Sequence, residues 1–595
     1  MNEGPIATYQ SRIEQYNNVL EETRKKVYRL GLARLIFFII GVFISVLLFQ
    51  YSFWLTLIFL FIAIAAFGQL IFFTEKLNKK ISLYQALITV NENELRAMHH
   101  EFRWNTTGIE HTDSTHPYSS DLDLFGEFSI FQFVSRATTV GGQGMLAKWL
   151  LNGADKEVIL QRQSSVEELK PLIDFRHHIA AHAASAENEK SKLDHLFSWL
   201  STEDYLLNNR SLQLSRWVIP PLTIVLIYYM TIAFGIEISW FPLIIPGYLY
   251  YKSNKAISNI NDATEAIENH LSIYTQILSS IESTQFRSPR LRKLKEQLID
   301  GHSPSKEIAK FKRSIQQLGV RRNFFGIIFN LFTLWDFHWV LALENHKTSL
   351  RPNLKIWLDI IAEIECLSSF ANILYNHSEY SLPELGDQTI NAEDLGHPLI
   401  GPKERISNQI TLLAQSHILL VTGSNMAGKS TFLRAIGINL ALANAGGPVC
   451  AKKCIFQPKQ IYTSMRIADD IEEGASSFYA ELKKLKAVID AVKENANIVF
   501  LLDEILKGTN SGDRHRGSEA LLKQLLRNNG VGIVATHDLE LSSLEQEYSG
   551  HLENWYFDVT IKEEQLTFDY TIKRGVCDSF NASILMKKMG IEMED

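Results

Sequence analysis

At 422–431 the chain reads TGSNMAGKST, and this stretch narrows the possible folds more than any other. Gly423, Gly428, Lys429 and Ser430 stand on the fixed positions of the pattern G-x-x-x-x-G-K-[ST], with Ser424, Asn425, Met426 and Ala427 on the variable ones. The apolar run 417–421 before it predicts a buried parallel strand, and 432–443 after it predicts a helix. A strand, a glycine-rich loop and a helix in that order aim backbone N–H groups and a helix N-terminus at one point. Such a point suits phosphate. The expectation is an α/β domain whose loop, Gly423 through Thr431, cradles a nucleoside triphosphate.

Two other blocks sit badly in water. Residues 35–50 and 53–73 are almost free of charge, with Gln50, Tyr51 and Ser52 between them. Together they are long enough for two crossings of roughly 20 residues each, and they are apolar on every face, which a soluble helix rarely is. Lys25, Lys26, Arg29 and Arg34 precede the pair, and Lys76, Lys79 and Lys80 follow it. The turn between carries no basic residue, so the positive-inside rule puts both flanks in the cytoplasm. In a second block, 217–234 has spanning length, whereas 238–251 is short and interrupted by Pro242 and Pro246. Its connector is acidic at Glu237, and Arg216, Lys252 and Lys255 flank it, so it is expected to form another hairpin with both ends inside. A third apolar run, 324–343, contains Asp336 and His338 and is expected as a buried helix. The first apolar run begins only after about thirty mostly polar residues, which does not fit a cleavable signal. The expected setting is the cell (inner) membrane, multi-pass, with the lipid bilayer as a partner and the phosphate loop in the cytoplasm.

The formal net charge of -7 gives no global basic field that would draw in nucleic acid. Four cysteines make no disulfide framework, and Cys450 and Cys454 lack the further His or Cys pair a zinc site needs. His99, His100 and His111 likewise lack ligand spacing. Basic runs at 287–295 and 306–322 fall on helical pattern with acidic residues interleaved, so they read as solvated helix faces or as phosphate contacts. The patterning divides the chain into an N-terminal helix (1–30), a first apolar hairpin (31–75), a linker (76–120), a helical core (121–210), a second hairpin (211–252), more helical core or lever (253–380), and an α/β domain (381–595).

Within that last segment, the run 498–502 ends in Asp503 and Glu504. An acid at the end of a buried strand can hold Mg²⁺, and its neighbour can polarise water. A third strand, 531–536, ends at His537, which can donate to a γ-phosphate or simply bond to backbone.

With these motifs in order, the sequence resembles the MutS mismatch-repair family. The resemblance is carried by GSNMAGKST, by 464–482 (SMRIADDIEEGASSFYAEL), by 501–513 (LLDEILKGTNSGD) and by 535–541 (ATHDLEL). The Gly396-His397-Pro398 turn, the tail segment 568–583 and DLFGEFSIFQFVSRATTVGGQGMLAKWL, which is similar to the opening of that family's helical core, add to it. The family implies a P-loop ATPase domain of ABC type behind an all-α core and lever domain, here with apolar hairpins inserted. It implies a Mg²⁺-dependent ATP hydrolase in which Lys429 contacts the β/γ-phosphates, Ser430 and Asp503 hold the metal, Glu504 positions or deprotonates water, and His537 senses the γ-phosphate. Ser476, Ser477 and Glu481 match the loop between the two Walker motifs. Thr509, Asn510 and Ser511 match a segment that reaches the opposing nucleotide across a dimer, so a homodimer is implied, with DNA as ligand.

Departures change the expected load. Only about 120 residues precede the core, leaving no room for the family's mismatch-reading and connector domains. Ala427 replaces a usual Gly, Leu506-Lys507 replaces Gly-Arg, and Arg514 replaces a Gly. The second hairpin lies where the family has levers and a DNA clamp. The expectation is a membrane-anchored MutS-like ATPase driving conformational change of a DNA-binding dimer, in mismatch repair or related DNA processing. The alternative is a membrane-anchored ATPase acting on a protein or lipid without DNA. An ABC transporter is disfavoured, because no L-S-G-G-Q run precedes Asp503.

Overall fold

The block 35–73 is the far end of two much longer helices. The computed structural model describes residues 4–184, 189–265, 267–301, 303–424, 426–466, 477–494, 497–562 and 565–577. In it α1 (Pro5–Tyr51) and α2 (Phe53–Met98) form one antiparallel pair that reverses at Ser52. The sequence suggests a separate helix over 1–30, but no Pro interrupts 25–35, and the helix runs through Gly31. The end near Ser52 is apolar and bare, with Trp54 73% and Phe61 77% exposed. The other end is polar and docked. Tyr9 Oη donates to Asn376 Oδ1 (2.7 Å), Asn376 Nδ2 donates to Glu94 Oε2 (2.7 Å), and Arg136 Nε donates to Glu94 Oε1 (2.6 Å). Burial alone would raise the Glu94 carboxyl, but the Arg136 guanidinium outweighs it and holds Glu94 below the ordinary range.

The helical body follows: α3 (Ile130–Val134), α4 (Val140–Leu151), α5 (Lys156–Leu169), α6 (Ile173–Ala183) and α7 (Glu189–Ser201). Next come α8 (Arg210–Phe234) and α9 (Ile244–Glu265), joined through a 3-10 turn at Phe241–Leu243. Then follow α10 (Glu268–Ser283), α11 (Pro289–Ile299), α12 (Pro304–Gly319), α13 (Phe324–Thr333) and α14 (Trp335–Asn376). Among the described residues, α1, α2 and α8 are each long and apolar enough to cross a bilayer by length and composition. The run expected as one buried helix over 324–343 breaks instead at Leu334, whose φ is 48°, and its two halves meet at 87°. Asp336 is buried as expected, yet Ile327, Ile328 and Phe329 of α13 are exposed.

Carboxylates from neighbouring helices hold this body in register. Glu365 of α14 accepts from the backbone N–H of Thr138 (3.0 Å) and Thr139 (3.2 Å) and from both their hydroxyls, closing the start of α4. Glu168 does the same for the amides of Arg287 and Ser288 (both 2.6 Å) before α11, and Glu282 for Ser305 (2.9 Å) at α12. Glu344 accepts from the amides of Tyr205, Leu206 and Leu207, fixing the chain just before α8. A helix start leaves such N–H groups without intrahelical partners, and leaving one buried and unmet costs about 1–3 kcal/mol. Several cations of the two basic runs are also consumed internally: Arg290 pairs with Glu363, Arg321 with Asp336, and Arg322 with Asp262 and Glu265.

Strands begin after α14. One sheet has the order β1 (Glu384–Leu385), β5 (Lys453–Phe456), β2 (Ile390–Leu395), β3 (Asn408–Leu412). The other has the order β10 (Gln565–Arg574), β9 (Leu552–Lys562), β4 (His417–Thr422), β8 (Val531–Thr536), β7 (Ile498–Asp503), β6 (Gln460–Ser464). Every pair in the second sheet is parallel except the β9–β10 hairpin. Buried on both faces, β4, β7 and β8 are continuous apolar runs rather than alternating ones. Helices α15 (Lys429–Asn444), α16 (Ser477–Glu494), α17 (Ser511–Arg527) and the short α18 (Leu544–Glu547) complete the domain. Helical body and sheet share one core. A Cβ on Gly437 of α15 would meet Leu122 on one side and Leu501 on the other, at 2.6 and 2.9 Å.

Candidate nucleotide site

Three parallel strands end level with one another. Thr422 of β4 pairs with Thr536 of β8, and Asp503 of β7 pairs with Ala535. Whatever follows each strand is therefore delivered to one sheet edge: the loop 423–428, Glu504, and His537. Ligands in open α/β sheets bind at that carboxyl edge.

The loop turns on two glycines. Gly423 has φ 147° and Gly428 has φ 101°, and Gly428 caps α15. A Cβ at either would lie 3.0 Å from a neighbour, Phe557 O or Tyr570 Cδ1 respectively. Met426 is exposed with φ 68°, Ala427 is buried, and Ser430 and Thr431 are exposed on the first turn of α15. Asn425 lies outside the described residues.

Lys429 is 4% exposed, and its ammonium donates to the carbonyls of Gly423 and Ser424, both at 2.9 Å. It also lies 3.3 Å from His537 Nε2. Burial depresses Lys429 to about 8, against the opposing pull of Glu504 and Asp503. His537 Nε2 lies 2.9 Å from Glu504 Oε1, and Lys507 Nζ lies 3.2 Å from Glu504 Oε2. The hydrogen bond to His537, then the Lys507 charge, hold Glu504 at about 2. Asp503 is 7% exposed, and its Oδ1 is buried with no hydrogen-bond partner among the described residues. A buried carboxylate oxygen left so at a phosphate loop fits a divalent cation; Ser430, expected as its companion ligand, lies exposed on the first turn of α15.

A cleft of about 380 Å³ opens beside the loop, walled by His397, Ile406, Phe432, Phe557 and Tyr570. It offers apolar and aromatic faces next to the phosphate cradle, as a nucleotide base requires. The sequence points to His397 only through its turn and to Tyr570 only through the tail segment 568–583, and Ile406 carries no signal.

The segment after Glu504 is unusual in backbone. Glu504 (φ 50°) and Leu506 (φ 60°) are both left-handed, a conformation that costs most side chains roughly 1 kcal/mol. Leu506 is buried, with its Cδ1 against Gly517 of α17, and Glu481 of α16 accepts its amide proton. Thr509, Asn510 and Ser511 do not reach the cleft beside the loop. Asn510 caps α17 through Asp513 N (2.9 Å), and Asn510 and Ser511 lie exposed at the outer edge. A groove of about 610 Å³ separates Ser511, Arg514 and His515 from Glu504 and His537. Ser476 lies outside the described residues, as does the side chain of Ser477. Lys507, which the sequence marks only as a departure, is brought into contact with Glu504.

Because Lys429 gains a proton-stabilising partner when phosphate arrives, binding above pH 8 must take up a proton, whereas below pH 8 the charge is already present. The affinity for ATP is therefore expected to be flat below about pH 7, to fall about twofold by pH 8 and to weaken further above, approaching about tenfold per unit. Calorimetric titration across that range checks it; a flat profile to pH 9.5 rejects a depressed Lys429.

Residues 419–589 match the family model described as MutS domain V. The chain is 29% identical over 252 residues to a DNA mismatch repair protein MutS of Staphylococcus haemolyticus, covering 41% of this chain and 28% of that protein. It is 31% identical over 226 residues to the DNA mismatch repair protein MutS of Listeria monocytogenes serotype 4b, covering 37% and 26%. To MutS protein homolog 4 of Mus musculus it is 30% identical over 233 residues, covering 38% and 24%. The chain thus spans about a quarter of the length of these curated relatives.

Proposed function

We propose, for a chain whose residues 419–589 match MutS domain V, a MutS-like ATPase anchored in a membrane by its apolar hairpins. The observation that carries this reading is the meeting of Lys429, Asp503, Glu504 and His537 at the aligned ends of β4, β7 and β8. The Lys429 ammonium exchanges the Gly423 and Ser424 carbonyls for β/γ-phosphate oxygens, and loop amides complete the cradle. Ser430 and Asp503 would hold Mg²⁺, which when bound neutralises charge on the β- and γ-phosphates. Glu504, ionised at any physiological pH, accepts a hydrogen bond from the attacking water and aims its lone pair at the γ-phosphorus. As the new P–O bond forms, the bond to the β–γ bridging oxygen breaks, and the water's proton ends on the phosphate product. His537, touching both Lys429 and Glu504, donates toward the γ-phosphate and registers its departure.

In this reading two copies pair through the Thr509–Asn510–Ser511 edge, and ATP binding and hydrolysis rearrange a DNA-binding dimer through α14, whose last residue, Asn376, also anchors α1 and α2. A specific observation favours the second reading, in which the load is a protein or lipid: the cations Arg290, Arg321 and Arg322 of the basic runs are paired within the chain. Binding of the detergent-solubilised protein to homoduplex, mismatched and four-way DNA, with and without ATP, separates the two. ATP-modulated binding to branched or mismatched DNA is expected. An ATPase-competent sample that binds none of them at moderate salt overturns the DNA reading and leaves the other.

A further inference from the structure

We propose that α13 is a third lipid-contacting element, lying at the headgroup–acyl boundary of the cytoplasmic leaflet beside the α8–α9 hairpin. This rests on the membrane reading above and adds to it a segment whose sequence points to a buried helix.

The sequence FFGIIFNLFT carries no charge, and Ile327, Ile328 and Phe329 are 46%, 37% and 40% exposed. Its Asn330 side chain is turned inward, and its exposed Thr333 hydroxyl bonds back to the helix's own backbone. Asn330, 1% exposed, donates from Nδ2 to Gly326 O (2.9 Å) and Asp336 Oδ1 (3.0 Å), and accepts the Asp336 amide at Oδ1 (2.9 Å). Thr333 donates to Phe329 O (2.6 Å). A helix that satisfies its own polar groups while exposing three adjacent large apolar residues is built for hydrocarbon rather than water.

Its neighbours supply the same solvent. The helix packs on both α8 and α9, and a Cβ on Gly247 of α9 would lie only 3.6 Å from Leu331. Leu196 and Trp199 of α7, before the hairpin, and Leu271 and Ile277 of α10, after it, share one core, so the hairpin must return to the side it left. Its return helix is short. The apolar part of α9 ends at Tyr251, so its first two turns cover roughly 12 Å of a bilayer core about 30 Å thick. α13 lies against this short arm.

The geometry sets depth as well as contact. α13 meets α14 at 87°, so it does not extend α14 as a straight span. At the corner Trp335 stacks near Phe329 (5.4 Å) and donates from Nε1 to Gln317 O (2.8 Å), while Trp217 packs on His338 (5.2 Å). Tryptophan with an apolar ring and a bonded N–H suits the interfacial belt. The start of α14 is thereby seated at the lipid surface and its end at the ATPase-type domain.

The test attaches an environment-sensitive fluorophore at Ile328→Cys and, separately, at Phe61→Cys in the first hairpin; the native cysteines are buried. Each variant, shown to retain ATP hydrolysis, is reconstituted in phosphatidylcholine–phosphatidylglycerol vesicles with quenchers fixed near the headgroups or at the bilayer centre. Phe329→Cys replaces Ile328→Cys if the latter does not fold. The probe at 328 is expected to lose most emission to the shallow quencher and that at 61 to the deep one. Unquenched, water-like emission at 328 with quenching at 61 overturns the inference and spares the anchor. Stronger deep than shallow quenching at 328 overturns the interfacial placement, and no quenching at either site overturns both.

Discussion

Glu504→Gln retains ATP binding and lowers steady-state hydrolysis by about 10²- to 10⁴-fold, the range for removing a positioned general base or water-orienting group. The substitution keeps the shape of the side chain and removes its charge. That charge is what His537 (2.9 Å) and Lys507 (3.2 Å) bracket, and it is what makes the carboxylate a good acceptor for the attacking water. Held at about 2, Glu504 is too weak a base to take a full proton early, so the loss reflects lost orientation and lost field. Binding survives because the phosphate cradle is made by Lys429 and the loop amides. Turnover at the wild-type rate would remove Glu504 from the mechanism and point to His537 or a residue outside the described segments.

Lys429→Ala abolishes measurable ATP binding. A charged donor to phosphate is worth about 1.5–3 kcal/mol per hydrogen bond, and Lys429 is placed to make two, so the loss is on the order of 10²-fold or more. The variant also leaves the carbonyls of Gly423 and Ser424 without their donor, so the loop relaxes as well. Calorimetric titration with ATP, on a sample whose circular dichroism matches the parent, reads the effect. An affinity within a few-fold of wild type would show that the loop binds nucleotide without its lysine and would contradict the assignment.

The site was legible where chemistry depends on neighbours in sequence. The loop, the Asp503-Glu504 pair and His537 each follow a short apolar run, and runs buried on both faces leave a readable signature. What the sequence could not present were contacts made by remote segments. Tyr570 comes to the loop only because β10 folds back on β9, and Ile406 only because the 396–408 connection passes over the cleft. The Lys507–Glu504 pair depends on a left-handed backbone at Glu504 and Leu506, which no side-chain pattern announces.

The helical part shows the same division. Proline has no amide proton and crowds the preceding turn, so Pro352 would ordinarily interrupt α14. The helix nevertheless continues through Pro352, with Asn353 Nδ2 bonding Ser349 O (3.2 Å) beside the interruption. Conversely, 324–343 reads as one helix but breaks at Leu334, because Asn330 and Asp336 bond each other across the corner. The 6% exposed Arg136 side chain and the 2% exposed Glu94 carboxylate tie the bare hairpin to the body across a sequence distance that periodicity does not reach.

In the proposed function this engine is anchored in a bilayer through its own chain. Extraction of isolated membranes with alkaline carbonate, which strips peripheral proteins, tests it most directly. The full-length chain is predicted to stay in the membrane pellet and to be released only by detergent. Recovery of the intact chain in the carbonate supernatant would contradict the account.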